Sequence, residues 1–259
     1  MAEKRIAVVT GTSRGIGLAI ARALSAKGLH VIGTSRNVAT GKPAADEAGI
    51  AFHPLDVSDD ASLDVFADWL AKEHGGVDIL VNNAGITLDG FDAKIARRTL
   101  DVNFGGTVKT TDRLLPLLRD KARIVMVSSG MGELSCLGKE LREKFADPSL
   151  SRDGLVALVN RFVREIAAGT HEASGFPSNA YRLSKVAMNA YVRVLARELL
   201  DNARGIKVNA TCPGSVRTQM SPNALRSPEE AAMTPMWLAL VPEEGPTGGF
   251  FRDQHAVPW

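Results

Sequence analysis

The stretch VVTGTSRGIGLAIARAL, residues 8–24, decides the fold. An apolar run leads into a glycine-rich turn, and the turn leads into a segment with the periodicity of a helix. Gly11, Gly15 and Gly17 form the pattern G-x-x-x-G-x-G. The first glycine permits a tight turn, and the other two let backbone approach a pyrophosphate and let the helix pack on the strand. Because the free N–H groups of a helix N-terminus bind phosphate, the stretch predicts a dinucleotide-binding turn.

The same residues contain GTSRG (11–15), which also matches the G-x-S-x-G turn of α/β hydrolases. In that interpretation Ser13 is a nucleophile and His255, near the C-terminus, completes a catalytic triad. A hydrolase serine lies at the centre of its sheet and therefore follows several strands, whereas Ser13 follows the first one. This position favours dinucleotide binding.

Short β-rich runs alternate with segments of helical period along the rest of the chain. The predicted strands are residues 5–10, 29–34, 51–55, 77–81, 122–128 and 206–211. The predicted helices are residues 15–27, 60–74, 94–119 and 180–201. Such alternation, with strands that are apolar throughout, indicates a parallel sheet covered on both faces. No linker or repeat divides the sequence, so we expect one α/β domain over residues 1–259.

One region, about residues 130–177, interrupts this rhythm because it has no strand signal. Residues 137–147 and 151–170 have helical patterns, and Ser151 or Asp153 could cap the second helix. We interpret the region as a helical insertion that comes just before the helix of Tyr181.

The end of the second strand, VIGTSRN (31–37), indicates which dinucleotide binds. An NAD site places an acidic residue there for the ribose 2′-hydroxyl, but no Asp or Glu occurs between Gly28 and Ala45. Arg36 occupies the region instead, and Arg14 lies in the glycine turn. Two guanidinium groups suit a 2′-phosphate, so the sequence predicts NADP(H). The alternative is that both arginines belong to the solvated surface.

Composition excludes several other classes of function. The formal net charge of +2 is too small to indicate nucleic-acid binding, and no apolar run approaches the ~20 residues of a membrane span. The two cysteines form no disulfide framework, and the five histidines have no metal-ligand spacing, so no metal site is predicted. Without an apolar leader segment, we expect a cytoplasmic protein.

The stretch SNAYRLSK, residues 178–185, carries the chemistry. Residues four apart are neighbours on a helix face, so Lys185 should lie beside Tyr181. A free tyrosine has a pKa near ~10 and is a poor acid–base group at neutral pH. A nearby ammonium favours the phenolate, so we expect Lys185 to lower the pKa of Tyr181.

Six motifs occur in a fixed order: TGTSRGIG (10–17), NNAG (82–85), VNF (102–104), VSS (127–129), YRLSK (181–185) and CPGSVRT (212–218). Together they resemble the short-chain dehydrogenase/reductase family over essentially the whole chain. Tyr181 lies 52 positions after Ser129, a separation similar to that in the monomeric carbonyl-reductase branch, where a helical insertion separates the two. The resemblance implies a Rossmann-type, doubly wound, mostly parallel seven-stranded sheet.

It also implies residue roles. Tyr181 would be the general acid in reduction, Ser129 would polarise the substrate carbonyl, Asn103 would order a water, and Lys185 would bond the nicotinamide ribose. Ser128 competes with Ser129, but the register of the family favours Ser129. The implied cofactor-binding residues are Gly11, Ser13, Arg14, Gly15, Ile16, Gly17, Arg36, Asp56, Val57, Asn83, Ala84, Gly85, Tyr181, Lys185, Pro213, Gly214, Val216 and Thr218.

The expected reaction is reduction of a ketone, aldehyde or quinone, with a hydrophobic small-molecule carbonyl compound as the partner. Pocket candidates are Met131, Leu134, Cys136, Phe176 and Ser215, with residues 217–226 as a lid. The insertion should cover the helix through which relatives pair, so we expect a monomer. Two alternatives stay open: a pathway-specific secondary alcohol dehydrogenase, and a regulator that senses NADP(H) without turnover.

Overall fold

The computed structural model describes residues 4–200, 203–219 and 221–259, and all of its strands belong to one sheet. The strands are β1 (Ile6–Thr10), β2 (His30–Ser35), β3 (Ala51–Pro54), β4 (Val77–Asn82), β5 (Leu118–Val127), β6 (Lys207–Thr211), β7 (Phe250–Arg252) and β8 (His255–Ala256). Their order across the sheet is β3-β2-β1-β4-β5-β6-β7-β8. Strands β1 to β7 are parallel and β8 runs antiparallel to β7. Strands β1 to β3 extend the sheet in one direction, and β4 returns to pair with β1 and extends it in the other. This reversal of strand order between β1 and β4 is that of a doubly wound fold.

Helices cover both faces of the sheet. They are α1 (Gly15–Ala26), α2 (Val38–Ala48), α3 (Asp60–His74), α4 (Ala93–Leu100), α5 (Gly106–Leu114), α6 (Lys139–Ala146), α7 (Arg152–Ala168), α8 (Ala180–Leu200) and α9 (Pro228–Ala239). Successive strand residues point to opposite faces, so Val8 packs into one buried cluster and Val9 into the other. Burial on both faces explains why the strands are apolar throughout.

The predicted number of seven strands is one too small, because a hairpin adds β8. Asp253 and Gln254 have φ values of 51° and 63° and form the two-residue turn between β7 and β8. This left-handed conformation suits a tight hairpin, but the pair lacks the Asn-Gly or Asp-Gly signal that identifies one in a sequence.

The predicted helix over residues 94–119 is wrong as a single element. It is divided into α4, a π-helical turn (Asp101–Gly105), α5 and a 3-10 turn (Leu115–Leu117), and β5 already begins at Leu118. Pro116 lies in the 3-10 turn and cannot continue the hydrogen-bond ladder of α5. Two further helices, α2 and α9, have no counterpart in the sequence prediction. The last residue of the predicted helix 180–201, Asp201, lies outside the described residues.

The insertion is helical, as expected. It contains two short 3-10 turns, α6 and α7, and Ser151 caps α7 by accepting a hydrogen bond from the N–H of Gly154 at 3.1 Å. Helix α7 packs against α8 and α4. Arg152 ties these helices together, because its Nε lies 2.6 Å from Glu198 of α8 and its guanidinium also pairs with Asp112 of α5. The outer side of α8 is therefore covered by its own chain.

Candidate active site

The predicted site residues converge on the carboxyl edge of the sheet. Gly11 follows β1, Asn83 follows β4, Ser129 lies two residues beyond β5, and Pro213 lies two residues beyond β6. In a doubly wound sheet this edge, at the point where the strand order reverses, is where ligands bind.

The glycine turn leaves room for a phosphate group. Gly11 has a φ of +74°, which favours glycine, and a Cβ on Gly17 would lie 2.3 Å from the carbonyl oxygen of Gly11. Helix α1 starts there with no side-chain cap and no acidic residue in its first turn. Its first N–H groups are therefore available to an anion, and the turn fits a dinucleotide pyrophosphate. Ser13 and Ile16 lie half-buried in the same turn.

The NNAG segment is fastened to the end of β1. The Nδ2 of Asn83 donates to the carbonyl oxygens of Thr10 and Gly11 at 2.9 and 3.1 Å. The backbone N–H groups of Asn83 and Ala84 both donate to Thr10 Oγ1 at 3.0 Å. Thr10, which was not predicted as a site residue, thus holds two functional loops in register, and only its place directly before Gly11 could have identified it.

The two arginines predicted to bind the 2′-phosphate belong to adjoining segments. The N–H of Thr12 donates to the carbonyl oxygen of Thr34 at 2.9 Å, which joins the glycine turn to the end of β2. Arg14 lies two residues after Thr12, and Arg36 lies two residues after Thr34. Both arginines are exposed. Within the described part of the chain, the Arg14 side chain makes no hydrogen bond or ion pair. Its guanidinium is therefore available to a ligand.

Asp56 and Val57, predicted to lie near the adenine, follow β3 at the same edge of the sheet. The Oδ1 of Asp56 accepts from the N–H and Oγ of Ser58 at 2.9 and 2.7 Å. Burial alone would raise the pKa of Asp56, but these bonds and the attraction of Arg36 and Arg98 outweigh it and lower the pKa. Val57 is buried against Gly106, where a Cβ would lie 2.7 Å from its side chain.

The loop after β6 closes the other end of the cleft. Pro213 and Val216 are buried, and Gly214 has a φ of +82°. A Cβ on Gly15 would lie 3.4 Å from the Cγ2 of Thr218, so this loop reaches the glycine turn. Met220, in the predicted lid, lies outside the described residues.

Ser129 and Tyr181 meet across the cleft, because the Ser129 side chain is close enough to the Tyr181 phenol to act on its pKa. Ser129 Oγ also accepts from the N–H of Met131 at 3.1 Å, which fixes its position at the start of a 3-10 turn. Ser128 points elsewhere: it is buried, and its Oγ lies 3.5 Å from the carbonyl oxygen of Lys185. The geometry therefore separates the two serines and favours Ser129.

The expected lowering of the Tyr181 pKa is wrong for this arrangement. Burial raises the pKa of Tyr181, and the nearby Ser129 hydroxyl opposes that rise only in part. The Nζ of Lys185 lies 5.5 Å from the centre of the Tyr181 ring and donates to the carbonyl oxygen of Val127 at 2.9 Å. Burial lowers the pKa of Lys185 to about 8. The ammonium thus lies beside the ring, as the helical spacing predicts. Because burial lowers the pKa of Lys185, its amine loses the proton at a lower pH than a solvated lysine does.

Asn103 lies in the π-helical turn and is fully buried. Its Oδ1 accepts from the N–H of Ile86 at 2.7 Å, and its Nδ2 donates to the carbonyl oxygen of Ile86 at 2.9 Å and to Ser184 Oγ at 3.1 Å. The side chain joins the segment after Gly85 to helix α8. Both Nδ2 hydrogens have protein acceptors, so a water would have to donate to the remaining lone pairs of Asn103.

Among the predicted pocket residues, Met131 is 37% exposed, whereas Phe176 is only 3% exposed. Phe176 packs against Phe162 at 5.3 Å in the core of the insertion, so it offers little exposed surface to a ligand. A surface cavity of about 600 Å³ lies beside the predicted lid and is lined by Leu225, Arg226, Glu230, Met233, Thr234, Asp253 and Gln254. Neither Ser129 nor Tyr181 lines this cavity, so we take the cleft that holds these two residues as the candidate active site.

Two negative findings apply to the described residues, 4–200, 203–219 and 221–259. No three His, Cys, Asp or Glu side chains are grouped so that they could hold a metal ion. No helix combines the length and apolar character that crossing a membrane would require.

A doubly wound sheet with a phosphate-binding glycine turn and a Ser–Tyr–Lys cluster at its carboxyl edge defines a class of dinucleotide-dependent oxidoreductases. Comparison with known sequences agrees. The short chain dehydrogenase profile matches residues 5–139, and the enoyl-(acyl carrier protein) reductase profile matches residues 165–243. The chain belongs to the short-chain dehydrogenase family.

Individual relatives match over nearly their full length. Carbonyl reductase [NADPH] 1 from Homo sapiens is 40% identical over 271 residues, which cover 98% of each chain. Salutaridine reductase from Papaver somniferum superposes with a TM-score of 0.88 at 32% identity, covering 96% of this chain and 100% of that one. Menthone neomenthol reductase from Mentha piperita superposes with a TM-score of 0.86 at 28% identity, covering 96% and 99%.

Proposed function

We propose that this protein is an NADP(H)-dependent carbonyl reductase that converts ketones, aldehydes or quinones to alcohols. The observation that carries the proposal is the placement of Ser129 beside the Tyr181 phenol, with the Lys185 ammonium 5.5 Å from the centre of the phenol ring, at the edge that also holds the glycine turn. The relatives named carbonyl reductase [NADPH] 1 support both the reaction and the cofactor.

Each site residue has a separate role in the reduction. NADPH, when bound along the glycine turn, supplies the hydride. Tyr181 donates a proton to the carbonyl oxygen, and its raised pKa keeps the phenol protonated at neutral pH. The Ser129 hydroxyl donates a second hydrogen bond to that oxygen and stabilises its developing charge. Lys185 bonds the nicotinamide ribose, and Asn103 holds the loop at Gly85 and orders a water near α8.

The substrate pocket accepts hydrophobic carbonyl compounds. Met131 and the half-buried Leu134 and Cys136 lie on the 3-10 turns directly after Ser129, and they supply apolar surface. The test is oxidation of NADPH, followed by absorbance, with menadione, isatin, an aryl ketone and a cyclic terpenoid ketone. Turnover of none of these compounds, together with tight NADPH binding, would contradict the proposal and favour an NADP(H) sensor.

Arg14 and Arg36 bind the 2′-phosphate, which distinguishes NADPH from NADH. We expect the double substitution Arg14→Ala and Arg36→Ala to raise the KM for NADPH by about 10²- to 10⁴-fold, because each of the two charge-assisted hydrogen bonds contributes roughly 1.5–3 kcal/mol. The KM for NADH should change little. Steady-state kinetics with both cofactors provide the measurement.

The matched control for this prediction is Arg22→Ala. Arg22 lies on α1 and pairs with Glu47 at 2.8 Å on the surface. An equal rise in the KM values for NADPH and NADH would show that the two arginines do not recognise the 2′-phosphate.

The protein acts as a monomer in the reducing environment of the cytoplasm. Helix α7 occupies the outer side of α8, the helix of Tyr181, and both cysteines are free thiols. Light scattering at micromolar concentration should give the mass of one chain, 27.6 kDa. A mass twice as large would refute the monomer.

A further inference from the structure

Arg252 is the last residue of β7 and lies at the carboxyl edge of the sheet. Strand β7 pairs with β6, and the N–H of Cys212 donates to the carbonyl oxygen of Phe251, so Arg252 is level with the first residue beyond β6. Its guanidinium lies directly against Gly130, where a Cβ would be 2.5 Å from an Nη atom. Gly130 is the neighbour of Ser129, so the guanidinium borders the cleft in which the carbonyl group is reduced.

The hydrogen bonds of this guanidinium are mostly unused. The Cys212 thiol is near enough to raise the pKa of Arg252, but a thiol is a weak acceptor, and this one already receives the N–H of Gly130 at 3.0 Å. The Nε of Arg252 is buried and has no acceptor among the described residues. A guanidinium has five donors in a fixed fork, so several of them remain free for a ligand.

The nearby carboxylates do not use these donors. Asp253 pairs with Arg226 at 2.5 Å instead, and Glu133 is exposed. Both attract Arg252 only at longer range, and within the described residues Arg252 makes no ion pair. The Cys212 side chain is also close enough to Tyr181 and Lys185 to affect the pKa of each. The same thiol is therefore near both the unpaired guanidinium and the phenol.

We infer that Arg252 is a specificity-determining residue that binds a second acceptor oxygen of the substrate, on the carbon next to the reacting carbonyl. The planar fork suits the two oxygens of a carboxylate, and it can also donate to an ester or ketone oxygen. The inference rests on the proposed carbonyl reduction, and it adds a polar anchor to a pocket that is otherwise apolar.

The kinetic test compares an aryl ketone with and without the second oxygen: methyl phenylglyoxylate and acetophenone. We expect Arg252→Met to lower the ratio of their kcat/KM values, relative to the unmodified protein, by about 10- to 100-fold. Comparing ratios cancels the different intrinsic reactivities of the two ketones. An unchanged ratio, with both substrates affected equally, would overturn the inference and assign Arg252 a structural role.

The matched control is Asp253→Asn, in the same hairpin. Asn tolerates the left-handed conformation of Asp253, whose φ is 51°, and the substitution removes the ion pair with Arg226 without touching the Arg252 guanidinium. The ratio should remain at the wild-type value in this variant. A fall as large as that in Arg252→Met would mean that the hairpin, not the guanidinium, sets the preference.

A binding measurement separates this inference from the proposed function. Phenylglyoxylate is titrated by calorimetry into the NADP⁺-loaded protein and into the loaded Arg252→Met variant, and binding should weaken by about 10-fold or more in the variant. Equal binding by both would overturn the inference. If the unmodified protein reduces neither ketone but binds phenylglyoxylate, and Arg252→Met loses that binding, the proposed reaction fails while the role of Arg252 in binding an acceptor oxygen stands.

Discussion

Replacing Tyr181 by phenylalanine is expected to lower kcat for ketone reduction by about 10²- to 10⁴-fold, the usual contribution of a positioned general acid. The substitution removes only the hydroxyl group, so the ring should keep its place beside Lys185 and the helix should stay intact. NADPH binding, measured by cofactor fluorescence, should change little. The measurement is kcat with NADPH and the most active ketone of the panel.

The chain supplies its own control, because Tyr191 is its only other tyrosine. Tyr191 is buried, and its hydroxyl donates to Asp112 at 3.3 Å, away from the cleft. Tyr191→Phe should retain activity and lose about 1 kcal/mol of unfolding free energy, the usual contribution of one hydrogen bond. If Tyr181→Phe retained kcat, Tyr181 would not be the proton donor.

Lys185→Met is expected to reduce the reaction rate by about a hundredfold and to change the pH profile. Since burial lowers the pKa of Lys185 to about 8, its charge is present below that pH and is lost above it. The raised pKa of Tyr181 keeps the phenol protonated over the same range. The wild-type log(kcat/KM) for NADPH, which reports the free enzyme, should therefore fall above about pH 8, and the variant should lack this descending limb.

Lys109→Met is the control for the loss of a lysine charge, because Lys109 forms a surface ion pair with Asp60 at 2.7 Å. Its profile should match the wild type between about pH 6 and pH 10. Because Tyr181 and Lys185 are close, the observed value belongs to the pair. A descending limb that persisted in Lys185→Met would assign the titration to another group.

Local patterns in the sequence predicted the parts of the fold and site that depend on one segment. The glycine turn is contained in residues 11–17, and the neighbourhood of Tyr181 and Lys185 follows from four-residue spacing on α8. Each is a short-range geometric constraint of strand, turn or helix. The capping of α7 by Ser151 belongs to the same group.

Features that depend on packing could not be read from such patterns. The raised pKa of Tyr181 comes from burial, and burial requires the tertiary structure. The π-helical turn at Asn103 depends on hydrogen bonds with Ile86 and Ser184, which lie 17 and 81 residues away. Helix α9 did carry a signal that the prediction left unused: a capping box from Ser227 to Glu230, with a proline at its first position.

The contacts of α7 with α8 have a genetic consequence. Arg152 occupies the outer side of the tyrosine helix through its contacts with Glu198 and Asp112. In the proposed monomer, an inactive copy has no free surface of this helix through which to engage an active one. Loss-of-function alleles should be recessive at the level of the protein, and activity should scale with the number of intact copies.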